Sequence, residues 1–272
     1  MTRSNDRLKS EVAQVLDDVR QLITGFADAQ RRHRAVTASV SVERDRITVT
    51  ADASGAVAEV SYAEDIDDLG YHQIARGTVL AAQQAATEVK RRAEEILAPL
   101  RLMQARLPKL TDLVGEVPRQ DEIPPPPSAL LTPLGDRKDD DFAAGPLDAP
   151  PGGPGASGSA LDDRDVGARI AQLVRLQDRR ARVFATGTAE GRRVLAAVNA
   201  DGILIDLKFS SGIADLDYDE IAEAVTEASR AAVAEVARMV TELFAPVSGD
   251  HPRYPGPEIA LAGIEQLRNQ LL

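Results

Sequence analysis

The chain of 272 residues has no cysteine, no tryptophan and only three histidines, and aromatics make up 3% of it. Without cysteine neither a disulfide framework nor a thiolate metal site can form, and a reducing compartment is allowed. His33, His72 and His251 fall in separate segments without His-x-x-x-His or His-Glu-x-x-His spacing, so they are read as surface residues and a zinc site has no support. Long apolar runs are missing as well. No segment approaches the roughly 20 apolar residues of a membrane span, and the charged amino terminus lacks the apolar stretch of a signal peptide. A soluble, cytoplasmic protein is expected. With so few aromatics, any core must be built from Ala, Val, Leu and Ile, which favours closely packed helices.

Signatures of catalysis are equally scarce. The glycines between 145 and 158 lack the spacing of a phosphate loop and sit in a Pro-rich stretch, and no Gly-x-Ser-x-Gly elbow occurs. Acidic clusters stand at Glu64 to Asp68 and at Asp215 to Glu220. Both precede a long helical pattern, where carboxylates cap exposed N–H groups and are favoured by the helix dipole. That role is preferred to acid/base work, and neither an enzyme nor a cofactor is expected.

What the chain does contain is an internal repeat. At an offset of 147 residues, segment 51–99 aligns without a gap on 198–246, with 16 of 49 positions identical. The identities include Gly55/Gly202, Asp68/Asp215, Tyr71/Tyr218, Ile74/Ile221, Glu88/Glu235, Arg91/Arg238 and Pro99/Pro246, and the match runs back through Arg46/Arg193, Val36/Val183, Arg32/Arg179 and Ile23/Ile170. A shared Gly, Tyr and Pro in one register argues for duplication of a unit of about 85 residues.

Each copy opens with apolar residues at helical spacing: Leu8, Val12, Val15, Val19, Leu22, Ile23 and Phe26 in the first, and Val166, Ile170, Leu173 and Val174 in the second. The period then changes to two. Val36 to Val42, Ile47 to Thr50 and Val57 to Tyr62 read as a three-stranded antiparallel meander, repeated in Val183 to Ala189, Val194 to Val198 and Ile203 to Phe209, with Gly202 taking positive φ in a hairpin turn. A long helix carrying Ile74, Leu80, Val89 and Ile96, or Ile221, Val225, Val236, Val240 and Leu243, closes each copy, with Pro99 and Pro246 expected at its end.

The predicted fold is therefore α+β, as two tandem α-β-β-β-α units: residues 1–107 and 162–247, joined by a linker at 108–161 and followed by a tail at 248–272. The linker holds four prolines at 124–127, Asp139-Asp140-Asp141 and a Gly/Ser-rich run, and is expected to be disordered. Its 54 residues reach on the order of 40 Å, enough for the units to pair within one chain as a pseudo-dimer. Such pairing, within or between chains, would cover edges and faces that one small sheet cannot bury alone. The tail carries Ile259, Leu261, Ile264, Leu267 and Leu271 at helical spacing, an amphipathic helix that docks on a copy or holds a protein partner.

The net charge is −11, of which the 108–161 linker holds −5 and the first unit only −1. Basic residues cluster within that acidic background. Arg31-Arg32-His33-Arg34 and Arg179-Arg180-Ala181-Arg182 occupy matching places where the opening helix hands over to the first strand, and Lys90-Arg91-Arg92 lies on the first closing helix. Arg31, Arg32, Arg34, Lys90, Arg91, Arg92, Arg179, Arg180 and Arg182 are the candidate contacts to the backbone of double-stranded DNA. Arginine at a helix carboxyl end also complements the dipole, whatever else it does.

The order of elements, with Val49 to Gly55 and Asp68 to Ala86 in one copy and Val194 to Gly202 and Asp215 to Ala232 in the other, resembles the YbaB/EbfC family of nucleoid-associated proteins. That resemblance implies a non-enzymatic, cytoplasmic DNA-binding protein of the nucleoid with low sequence preference. It differs in having two units, and in carrying Glu43-Arg44-Asp45-Arg46 where the family commonly has Gly-rich sequence. A protein-interaction adaptor or chaperone-like factor, such as one associated with secretion, is the alternative the resemblance leaves open.

Overall fold

The structure is a computed structural model in which residues 2–105, 127–137 and 163–247 are described. The first copy runs α1 (Thr2–Arg34), β1 (Ala38–Val42), β2 (Ile47–Ala51), β3 (Val57–Tyr62) and α2 (Tyr71–Gln104). The second runs α3 (Asp163–Arg182), β4 (Phe184–Ala189), β5 (Val194–Asn199), β6 (Leu204–Phe209) and α4 (Tyr218–Phe244). Each sheet is an antiparallel meander, β1-β2-β3 or β4-β5-β6. The expected α+β tandem is what forms. The side chains of Leu8, Val12, Val15 and Val166, His251, and the tail helix lie outside the described residues.

The period-two alternation sets the faces of the first sheet. Ile47, Val49 and Ala51 of β2 are buried, while Ser39 and Ser41 of β1 pair hydroxyl to hydroxyl with Thr50 and Thr48 at 2.8 and 2.9 Å on the outer face. A register shift falls at Thr50/Ala51 in one copy and at Ala197/Val198 in the other, the same place after the offset of 147. The hairpin turns beyond it repeat too. Gly55 and Gly202 stand at φ 86° and 80°, and the side chains of Asp52 and Asn199 close the turns from within.

The first hairpin turn of each copy winds left-handed through three residues: Glu43, Arg44 and Asp45 at φ 52°, 62° and 67°, and Glu190, Gly191 and Arg192 at 49°, 60° and 71°. Five of these six are not glycine, and each such residue costs about 1–2 kcal/mol. The Gly-rich sequence of the resembled family would relieve that strain. What pins the turn is Arg46, whose guanidinium donates to Asp65 at 2.8 Å and Asp68 at 2.9 Å. Hydrogen bonding to Asp65, foremost, holds the Arg46 pKa above its ordinary value.

This corrects the capping role expected for Glu64 to Asp68. Those residues form a short 3-10 turn that faces Arg46, and the start of α2 is served instead by Gly70, whose N–H donates to the Gln73 side chain. The second copy does cap. Asp217 accepts from Glu220 N–H at 2.7 Å while the Glu220 carboxylate accepts from Asp217 N–H at 3.0 Å, a complete capping box. Asp217→Ala is expected to lower stability by about 1 kcal/mol, read as a downward shift of the urea midpoint with unchanged slope.

Among the described residues two bodies form: residues 37–89, 127–137 and 163–247 make one, and 2–36 with 90–105 the other. In the first, both meanders share one core, including Ile47, Val49, Ile74, Val194, Val198, Leu204, Ile221, Val225 and Val236. Contacts between the copies are reciprocal. A Cβ on Gly55 would lie 3.6 Å from Ile203, and one on Gly202 would lie 3.8 Å from Ala56, so equivalent positions meet each other's partners. Gln83 and Arg230 are likewise equivalent, and each donates to a main-chain carbonyl at the other copy's third strand, Leu204 O at 3.5 Å and Ala58 O at 2.7 Å.

In the second body, Leu100 approaches Gly25 of α1 so closely that a Cβ there would lie 3.0 Å from it. This contact belongs to a second correction, because α2 continues through Pro99 to Gln104. Proline removes one helical N–H, yet its fixed φ is compatible with a helix. Pro246 does lie beyond the end of its helix. A third correction concerns the linker: residues 127–137 pack on the second copy, with Ala129 and Arg137 buried.

Candidate nucleic-acid interface

The two arginine clusters arise from the same local geometry. In each copy the opening helix ends in a tightened turn, with Val36 N–H donating to His33 O and Val183 N–H to Arg180 O, both at 3.0 Å. His33 and Arg180 are equivalent positions, as are Val36 and Val183. A helix carboxyl end exposes carbonyls and carries partial negative charge, so basic residues are stabilised there. The last turn of α1 holds Arg31, Arg32, His33 and Arg34, and that of α3 holds Arg179, Arg180 and Arg182.

Their surroundings differ. Arg31 and Arg32 share one carboxylate, Asp28, at 3.1 and 2.9 Å, and their side chains are 73% and 71% exposed. Exposed pairs of this kind are worth at most about 1 kcal/mol. Two guanidiniums against one carboxylate, with exposed Arg34 beside them, leave the end of α1 net positive. On α3, Arg179 is half-buried and Arg182 exposed. Arg180 is tied into the fold: its guanidinium pairs with Asp201 and reaches Ala200 O at 3.4 Å.

Lys90, Arg91 and Arg92 are exposed on α2. Arg91 is paired with Glu95, one turn on. The same arrangement stands on α4, where Arg238 binds Glu235 and Glu242, and hydrogen bonding to Arg238 holds the Glu235 carboxyl below its ordinary value. Arg91/Arg238 and Glu95/Glu242 are identical between the copies. Arg91 and Arg238 thus serve helix-surface ion pairs; Lys90 and Arg92 have Ala237 and Met239 as counterparts in the second copy.

Sequence reasoning did not single out Arg137. It is 7% exposed, lies over the Phe184 ring at 5.0 Å and donates to three main-chain carbonyls. A lone basic residue in a Pro- and Asp-rich stretch gives no signal of that kind. Among the described residues no group of three or more His, Cys, Asp or Glu is placed to hold a metal, and no helix is long and apolar enough to cross a membrane.

Comparison with known proteins places the second copy. The model of the YbaB/EbfC DNA-binding family matches residues 166–251, the segment from α3 through α4. No curated protein and no solved structure matches the chain.

Proposed function

We propose, from the match of residues 166–251 to the YbaB/EbfC DNA-binding family, that this protein binds double-stranded DNA through its backbone with low sequence preference, as a nucleoid-associated protein without catalytic activity. The observation that carries the reading is that basic residues recur at the carboxyl end of the opening helix in both copies, one of which is the matched segment. Arg31, Arg32 and Arg34 with Arg179 and Arg182, assisted by Lys90 and Arg92, are assigned to phosphates, and Arg91 and Arg180 to the fold. Guanidinium groups suit phosphate oxygens, and contacts to the backbone position a protein without reading sequence.

The copies act as a covalent pseudo-dimer in this reading, which the reciprocal contacts Gly55–Ile203 and Gly202–Ala56 support. Residues 1–107 and 162–247 are then the two pairing units, and one chain suffices for a two-fold arrangement. AT-rich, GC-rich and mixed duplexes of equal length, titrated in fluorescence anisotropy at one salt concentration, are expected to give dissociation constants within about threefold of each other. A preference of about a hundredfold or more for one sequence would point to readout of base edges and against this function.

A protein-holding role is the second reading. It is favoured by Phe26 and Leu102, large apolar side chains of α1 and α2 that are 51% and 66% exposed.

A further inference from the structure

The packed part of the linker, residues 127–137, has no role in the reading above, and its contacts converge on the second arginine cluster. Leu130 N–H donates to Ala181 O at 3.1 Å, at the end of α3, and Leu130 O accepts from the Asn199 side chain at 3.3 Å. Ala129 N–H donates to one oxygen of the Asp201 carboxylate at 3.4 Å, while the other oxygen holds Arg180. Arg137 donates to Arg182 O at 3.4 Å and covers Phe184. The segment therefore sits on the residues that join α3, β4 and the β5–β6 turn.

The seat is built for it. Asn199 is fully buried, its oxygen is used by Asp201 and Ile203 N–H groups, and its amide donor is used by Leu130 O. A buried amide N–H left without an acceptor costs about 1–3 kcal/mol. The equivalent residue in the first copy is Asp52, which closes its turn in the same way but has no donor to offer. Asparagine and the linker segment thus go together in the second copy.

Several of the hydrogen bonds that reach the segment are long: Asn199–Leu130 measures 3.3 Å and those of Ala129, Leu131 and Arg137 measure 3.4 Å, beside Leu130–Ala181 at 3.1 Å. Bonds near the upper end of the distance range contribute little each.

We propose that residues 127–137 form a reversible strap which, while seated, keeps Arg180 of the second arginine cluster from DNA; this rests on the DNA-binding function proposed above. Seating fixes Asp201, which holds Arg180 down, and Arg137 occupies the carbonyl of Arg182. Release frees Arg180 for an additional phosphate.

Three variants of the full chain test this: Arg137→Ala, Asn199→Asp, which installs the residue of the first copy, and replacement of 127–137 by a Gly/Ser segment of equal length. Hydrogen exchange at the Leu130 amide reports seating in the two point variants, and anisotropy of a random-sequence duplex reports DNA affinity. Faster exchange should accompany about tenfold tighter binding, with a salt slope steeper by about 1 as Arg180 joins the interface. If the parent protein binds DNA and the Gly/Ser replacement binds no tighter, the strap proposal is overturned while DNA binding stands. If neither parent nor variants bind DNA even at low salt, the function and the strap fall together.

Discussion

Gly187→Val is expected to leave the second copy unable to fold. Gly187 lies in β4 with α4 directly upon it: a Cβ there would sit 2.1 Å from Ala228 O and 2.5 Å from Ala232 N. Both are main-chain atoms, so no rotamer change relieves the overlap. Helix and strand would have to separate, opening a core that contains Val194, Leu204, Ile221 and Val225, all at 0% exposure. Overpacking commonly costs about 1–3 kcal/mol, and a backbone clash of this depth belongs in the tail above about 4 kcal/mol, a large part of a typical domain's stability.

The first copy carries Val40 at the equivalent position, half-buried in β1. An asymmetry is thus written into the duplication: one meander keeps a valine where the other gives up its side chain for close approach of a helix. Urea denaturation and soluble yield of Gly187→Ala and Gly187→Val check the expectation. A Gly187→Val protein that unfolds at the parent's midpoint would contradict the direct packing of α4 on β4.

Much of this architecture is legible in the residues. Period-two alternation in Val36 to Val42 and Ile47 to Thr50 marks β1 and β2 because one face of a sheet is buried and the other wet. The offset of 147 carries over to turn glycines, register shifts and even ion pairs, since Arg46 with Asp68 and Arg193 with Asp215 are aligned identities that meet in space, the latter at 3.9 Å. Three features are not legible. Pro99 reads as a stop because its missing N–H is a local fact, whereas the Gly25–Leu100 contact that accompanies the continued helix is tertiary. The acidic run Glu64 to Asp68 reads as a cap because its partner Arg46 lies on the far side of β2 and β3 in sequence. The packing of 127–137 depends on Asn199 and Phe184, which no composition-based rule connects to a Pro/Gly/Asp-rich stretch.

The arginine clusters were visible as sequence, but which arginines are committed elsewhere was not. Arg180 is bound to Asp201, a turn residue 21 positions away, and Arg91 to Glu95. The functional expectation follows from that sorting. Replacing Arg31, Arg32, Arg34, Arg179 and Arg182 together by glutamine should weaken DNA binding at low salt by at least about a hundredfold, and make the slope of log K against log salt shallower by about 4.5, near 0.9 for each phosphate that is no longer neutralised. Arg31, Arg32 and Arg34 are exposed at a helix end and contribute mainly dipole and screened ion-pair energy, so their share of any change in stability is small. Arg180→Gln alone should instead lower stability, through loss of its bonds to Asp201 and Ala200 O. A loss of DNA affinity that is the same for every duplex sequence marks these residues as backbone contacts.

The measurement that bears most directly on the central claim is the affinity of the unmodified chain for a labelled random-sequence duplex across salt concentrations, by fluorescence anisotropy. The net charge of −11 makes this a demanding test, because a protein repelled overall by DNA must bind through local basic surface. Binding in the micromolar range or tighter at low salt, falling steeply and linearly in log–log form as salt rises, is the predicted result. Absence of binding even at low salt would contradict DNA binding as the function of this fold.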